Sequence, residues 1–434
     1  MAPSLPPRAW LTVGLLWAAA CLNYLDRLMI TTMRDSIMEA IPMTEAQFGL
    51  LTSVFLIVYA VLSPFAGFLA DRFNRSHVII LSVFVWSVVT LLTAYAKTYE
   101  QLLFTRALMG ISEAACMPAS AALIVDYHRG ATRSLASGLL LSGAMTGGAL
   151  GGIGGTMAES HGWAHAYVVF GAIGIGFAVV LLLLLRDPRS GEETYSTEHK
   201  TVPPRLGEAL AHLFTNRGYL VMLSYGCLGG VAAWSVVGWM PTYIKEKFEL
   251  TQGSAGLSTT AYLNIAALVG MLVGGFWADR WSRTNERARI LVPVIGLAIA
   301  APAVFLIAQT TLLPVALGGL ALYGLSRHFV DANSMPIYCL FVEPRYRATS
   351  WGIATFVACV IGGIGIYAGG VLRDAHVDVG RIFQFGAACL AVGGLLLASL
   401  LRLPALRAAT AASPDLVETP RPPIEQATRS PKNG

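Results

Sequence analysis

Gly67-Phe68-Leu69-Ala70-Asp71-Arg72-Phe73-Asn74-Arg75 returns some two hundred residues later as Gly275-Phe276-Trp277-Ala278-Asp279-Arg280-Trp281-Ser282-Arg283, with six of the nine positions identical. Each copy closes a long apolar run and opens another, so the repeat divides the chain into two halves of like construction. A fainter echo, Arg133 to Gly138 against Arg347 to Gly352, falls at matching places in the two halves. The surroundings are those of a membrane protein. Of 434 residues 55% are hydrophobic and 13% charged, about half the charge of a soluble domain. That composition excludes a soluble enzyme, a DNA-binding protein and a single-span receptor.

A bilayer core takes about 20 apolar residues per helix. Twelve runs qualify: 10–36, 46–70, 78–96, 101–125, 134–157, 163–185, 218–240, 253–277, 289–308, 312–341, 350–372 and 380–401. The expected fold is an all-α membrane protein of twelve transmembrane helices in two pseudo-symmetric six-helix halves. The expected boundaries are 1–185 and 217–403 for the halves, a polar linker at 186–216 with Asp187-Pro188 and Pro203-Pro204, and a disordered tail at 404–434. The first run carries Asn23, Asp26 and Arg27 with no small-residue cleavage site, so it reads as a retained helix. Sorting Lys and Arg by side places twenty-one with the termini and six opposite. By the positive-inside rule both termini face the cytoplasm, in the cytoplasmic (inner) membrane. The six cysteines lie in apolar runs without metal or disulfide spacing. No metal or other cofactor is expected.

Two parallel halves with a site between them are a transporter architecture. The GxLADRxxR loop, repeated with Trp277 in place of the leucine, resembles the signature of the major facilitator superfamily, and the twelve-span layout extends the likeness over nearly the whole chain. Its chemistry is legible in residues: Gly67 and Gly275 would allow close helix approach. Asp71 and Asp279 would sit near a helix N-terminus, and Arg72, Arg75, Arg280 and Arg283 would face water. Together with Asp126 at the end of helix 4, these residues would form a conformational latch.

Within the superfamily, Asn23-Tyr24-Leu25-Asp26-Arg27 in helix 1 and Arg106-x-x-x-Gly110-x-x-Glu113 with Pro118 in helix 4 resemble the anion:cation symporter branch, which includes sugar-acid carriers. Spinster-like lipid carriers share these features and are the nearest alternative. The resemblance also brings in Tyr59, at a position where that branch contacts substrate. It implies proton-coupled symport of a small organic anion, with protons and the lipid bilayer as the other partners, no nucleic acid, and function as a monomer.

The residues themselves support parts of this. An unpaired charge is costly inside a bilayer, so Asp26 and Glu113 can take up and release protons. A static ion pair is the competing reading for each. Arg27 stays charged when buried and can grip a carboxylate with two hydrogen bonds, or else simply partner Asp26 or Glu113. Tyr24, Tyr59 and Arg106 complete the first-half candidates. In helix 10, Arg327 is a substrate candidate, although its spacing to Asp331 also suits an intrahelical pair. A sensor derived from a transporter and an intramembrane enzyme are the rivals of another class; HExxH, GxSxG and GxGD are absent from the sequence.

Overall fold

The computed structural model describes residues 7–128, 132–187, 206–285 and 287–403, except the side chains of 66–71 and a few others. Among the described residues every regular element is helical. In chain order they are α1 (Pro7–Thr32), α2 (Arg34–Ala40), α3 (Glu45–Arg72), α4 (Arg75–Thr93), α5 (Tyr99–Glu113), α6 (Cys116–Tyr127), α7 (Arg133–Leu150), α8 (Ile153–His161) and α9 (Trp163–Leu184). The chain continues with α10 (Leu206–Thr215), α11 (Arg217–Phe248), α12 (Gln252–Ser282), α13 (Ala288–Gln309), α14 (Leu313–Phe341), α15 (Arg347–Asp374) and α16 (Val379–Ser399). Eleven spans are long and apolar enough to cross a bilayer. The twelfth is α14, whose 29 residues include Arg327, His328 and Asp331. The outward faces carry exposed Phe65, Leu183, Phe276 and Leu395, as a lipid-facing belt requires. The protein is a multi-pass membrane protein.

Three expected spans are broken, each for a local reason. The first stops at Met33 and resumes as α2. The fourth breaks at Ala114 and Ala115: Pro118 lacks the N–H that would bond the Ala114 carbonyl and its ring crowds that carbonyl. The fifth breaks at Gly151-Gly152. The expected linker is also not uniformly irregular, since α10 lies inside it. Its buried Ala209 and Leu213 join the core of the second half, and Glu208 accepts hydrogen bonds from Tyr346 (2.9 Å) and Arg345 (3.3 Å). The expectations for 188–205, for the tail from 404 onward and for the Asp71 side chain fall outside the described residues.

Glycines set the tightest crossings. A Cβ on Gly110 of α5 would lie 2.8 Å from the Phe55 carbonyl of α3, and one on Gly324 of α14 would lie 2.6 Å from the Leu263 carbonyl of α12. The same pair of spans therefore crosses in the same way in each half.

Across the halves α3 packs along α15, and α7 and α8 pack against α12. Among the described residues, the hydrogen bonds and ion pairs joining the halves lie at midspan or toward the end remote from the termini. There Arg373 binds Glu45 (3.2 Å) in the first half and Glu246 (2.7 Å) in the second. Lys245 pairs with Asp35, and Arg34 with Asp35 and Glu45. Asp374 accepts the backbone N–H groups of Glu45 and Ala46 at 2.9 and 3.0 Å, and Gln252 accepts those of Asp35 and Ser36. Nearer midspan, Ser53 donates to the Gly363 carbonyl and Thr260 to that of Ala149. This end of the molecule is clasped shut.

Candidate functional site

α1 presents Asn23, Asp26 and Arg27 to the interior of the first half, all buried. Successive helical residues do not face each other, so Asp26 and Arg27 diverge and the pair that their adjacency invites does not form. Arg27 instead donates to Glu113 Oε2 of α5 and to Asn23 Oδ1, both at 3.1 Å. Its guanidinium carbon sits 4.7 Å from the ring centres of Tyr24 and Tyr59 and 4.9 Å from that of Phe55. Each such contact is worth about 0.5–2 kcal/mol. Three rings and one carboxylate therefore hold the cation.

Phe55 also lies 5.0 Å from the Arg106 guanidinium, so one ring serves two cations. Arg106 is fully buried and, among the described residues, bonds the Leu51 carbonyl and the Met109 sulfur, each at 3.4 Å. Asp26 Oδ2 accepts from Thr90 at 3.3 Å. Asn23 Nδ2, Asp26 Oδ1, Glu113 Oε1, Arg27 Nε and Arg106 Nη2 have no hydrogen-bond partner among the described residues. Unsatisfied buried polar atoms are costly and uncommon. Five in one cluster suit groups that change partners. On its Arg27 side the cluster reaches the boundary between halves: the Cys359 thiol of α15 lies within electrostatic reach of Arg27 and Tyr59.

In the second half Arg327 donates to Asp331 Oδ2 at 2.6 Å, the intrahelical pairing its spacing suits. Both residues line a cleft of about 150 Å³ between α11, α14 and α15, with Tyr225, Tyr338, Ser334 and Thr355 supplying hydroxyls and Trp234 and Trp351 apolar walls.

At the repeated loops Arg75 pairs with Asp126 and donates to the Ala122 carbonyl (3.0 Å), while its backbone N–H bonds Asp187 (2.8 Å). Asn74 caps α4 by accepting the His77 N–H. In the second copy Asp279 reaches Arg289 of α13 at 3.4 Å; Arg72, Arg280 and Arg283 are exposed. One expectation is corrected. A Cβ on Gly275 would meet nothing closer than 3.9 Å, whereas one on Gly274 would lie 2.7 Å from Phe329 Cα. Gly274 faces α14, and the register puts Gly275 about 100° round the helix.

Sequence patterning alone missed Phe55, Thr90, Tyr225 and Tyr338. Phe55 had a signal, one helical turn before Tyr59. The other three had none.

Residues 16–366 match the profile described as Major Facilitator Superfamily. The chain belongs to that superfamily. A probable sulfoacetate transporter of Cupriavidus necator is 28% identical over 421 residues, covering 93% of this chain and 95% of the relative. A probable L-galactonate transporter of Escherichia coli is 26% identical over 362 residues, covering 80% and 79%. Among solved structures, a bacterial homologue of the human lysosomal transporter spinster, inward-facing and unoccupied, superimposes with a TM-score of 0.73 at 21% identity, covering 94% of this chain and 98% of that one. This likeness bears on the fold alone. With the match to the superfamily it makes the protein a transporter of the major facilitator fold.

Proposed function

We propose that the protein is a proton-coupled symporter that carries a small organic anion, a sugar acid by preference, across the cytoplasmic membrane as a monomer, by alternating access of its two halves. The observation that carries the reading is the capture of Arg27 by Glu113 inside the ring of Tyr24, Phe55 and Tyr59. While Glu113 is ionised, Arg27 is occupied. A proton on Glu113 removes that competitor and frees a planar, permanently charged donor for a two-pronged grip on a carboxylate. The incoming anion then offsets the cost of a buried cation. Asp26, buried one residue away and accepting a hydrogen bond from Thr90 at 3.3 Å, is the second proton acceptor. Proton and anion thereby favour each other's binding.

The similarity to sulfoacetate and L-galactonate carriers supports an anion. With the termini assigned to the cytoplasm by the positive-inside rule, the clasped end would face outward, which supports reading this state as one closed on the outer side. Asp71, Asp279 and the loop arginines act as the latch of the opposite state.

The test is binding of L-galactonate and sulfoacetate to the purified protein by calorimetry. Lowering the pH from 8 to 6 tightens binding, and by linkage the anion raises proton affinity by the same factor. Arg27→Lys weakens binding tenfold or more, because a point charge cannot reproduce the planar fork. Competition by lysophospholipid alone, with affinity indifferent to Arg27→Lys, would overturn the anion reading and leave the fold untouched.

A further inference from the structure

His328 occupies the turn of α14 between Arg327 and Asp331, and its two ring nitrogens face different acceptors. Nδ1 lies 2.6 Å from the Gly324 carbonyl. A carbonyl only accepts, so Nδ1 carries a hydrogen. Nε2 lies 3.5 Å from Asp331 Oδ2. In the neutral ring Nε2 offers a lone pair, and two acceptors confront each other; with a proton on Nε2 the same contact becomes a charge-assisted attraction. The oxygen it faces is the one that already accepts from Arg327 Nη1. Two donors thus converge on one carboxylate oxygen, beside a cleft to which Asp331 is 35% and Arg327 16% exposed.

We propose that Arg327, His328 and Asp331 form a second proton-binding site, in the C-terminal half, and that a proton taken up at His328 Nε2 turns Arg327 toward an anionic group of the cargo. The proposal rests on the transport reading above and adds a titrating group independent of Asp26 and Glu113. Its charge balance is simple. Arg327 and Asp331 together are neutral, protonation of His328 makes the triad +1, and an anion in the cleft restores neutrality. Since the protonated ring takes a share of Asp331, the guanidinium is the group released.

Among the described residues the surroundings add no other formal charge. From α11 the ionisable neighbour is Tyr225, and from α14 itself Tyr323 and Tyr338. Toward this stretch of α14, α12 presents Leu263, Ala266, Gly270 and Gly274, and α13 presents Gly296. The cleft wall on α15 is Trp351, Ala354, Thr355 and Ala358. Burial and Arg327 oppose a charge on the ring while Asp331 and the Gly324 carbonyl favour one, so the balance of these local influences decides its protonation.

Two measurements test this on the full-length protein. The first follows the ring itself by NMR of histidine-labelled protein between pH 5 and 8, with the His328 signal assigned by its loss in His328→Gln. The ring gains a proton across that range, and Asp331→Asn moves the transition to lower pH. A ring that holds one protonation state throughout overturns the proposal and leaves the transport reading intact. The second measures sulfoacetate binding by calorimetry in buffers of different ionisation enthalpy, which counts protons taken up per anion bound. In an Asp26→Asn/Glu113→Gln background, uptake persists and affinity still rises, by up to tenfold per pH unit. Adding His328→Gln brings both to zero, and adding Arg327→Gln abolishes binding. Binding in that background that is already independent of pH also overturns the proposal. A wild-type protein that binds neither sulfoacetate nor L-galactonate sinks the transport reading and, with it, the anion half of this one.

Discussion

Removing one carboxylate, in Asp374→Ala, should unfasten the clasp without disturbing the interior. Asp374 ends α15 in the second half, yet it accepts the first two N–H groups of α3 in the first half, at 2.9 and 3.0 Å. It serves as a capping anion supplied from the other half. Losing a capping side chain costs about 0.5–2 kcal/mol, and losing a negative charge at a helix N-terminus about 0.3–1 kcal/mol. The sum, about 1–3 kcal/mol, is lost only in the state in which this end is closed. The equilibrium should therefore move toward opening by roughly five- to 150-fold. Asp378→Ala is the control: its carboxylate caps α16 by accepting the Gly380 N–H at 2.6 Å, wholly within the second half. The assay is electron-electron double resonance between spin labels at positions 97 and 309, one exposed residue on each half at this end. A longer-distance population should appear in Asp374→Ala and not in Asp378→Ala. Identical distributions in wild type and Asp374→Ala, or the same shift in both variants, would refute the reasoning.

Asp26→Asn and Glu113→Gln should each abolish proton-driven accumulation while sparing part of substrate exchange, since exchange moves no net proton; uptake and counterflow in proteoliposomes separate the two. Asp71→Ala and Asp279→Ala should slow turnover several-fold with binding nearly unchanged, because Asp279 bonds Arg289 of α13 and is not among the residues lining the Arg327 cleft; affinity falling tenfold at constant turnover would contradict the latch. Gly147→Ala should lower the unfolding temperature by the equivalent of about 1–3 kcal/mol, since its Cβ would run into the Cys21 carbonyl of α1. Gly138→Ala on the same helix, with nothing within 4 Å, should leave stability level or raise it by up to about 1 kcal/mol.

The membrane fold and its two halves were legible because apolar run length and a nine-residue repeat are local properties of the chain. The first-half cluster was legible for a related reason: Asp26, Arg27, Arg106 and Glu113 stand out where charge is expensive. What could not be read was partnership. Adjacent Asp26 and Arg27 invite a pair that helical geometry forbids, and the true partner of Arg27 comes from 86 residues away. The clasp escaped notice because Asp35, Glu45, Lys245 and Arg373 look in sequence like ordinary charges flanking spans. Gly275 was credited with an approach that belongs to Gly274, since two neighbouring glycines differ only in which way the helix turns them.

The position of α10 decides which half it serves. By docking onto Tyr346 and Arg345, it belongs to the second half, although the chain reaches it before the first span of that half. Loss of the Glu208 carboxylate would therefore loosen a contact internal to the second half and leave every bond between the halves in place.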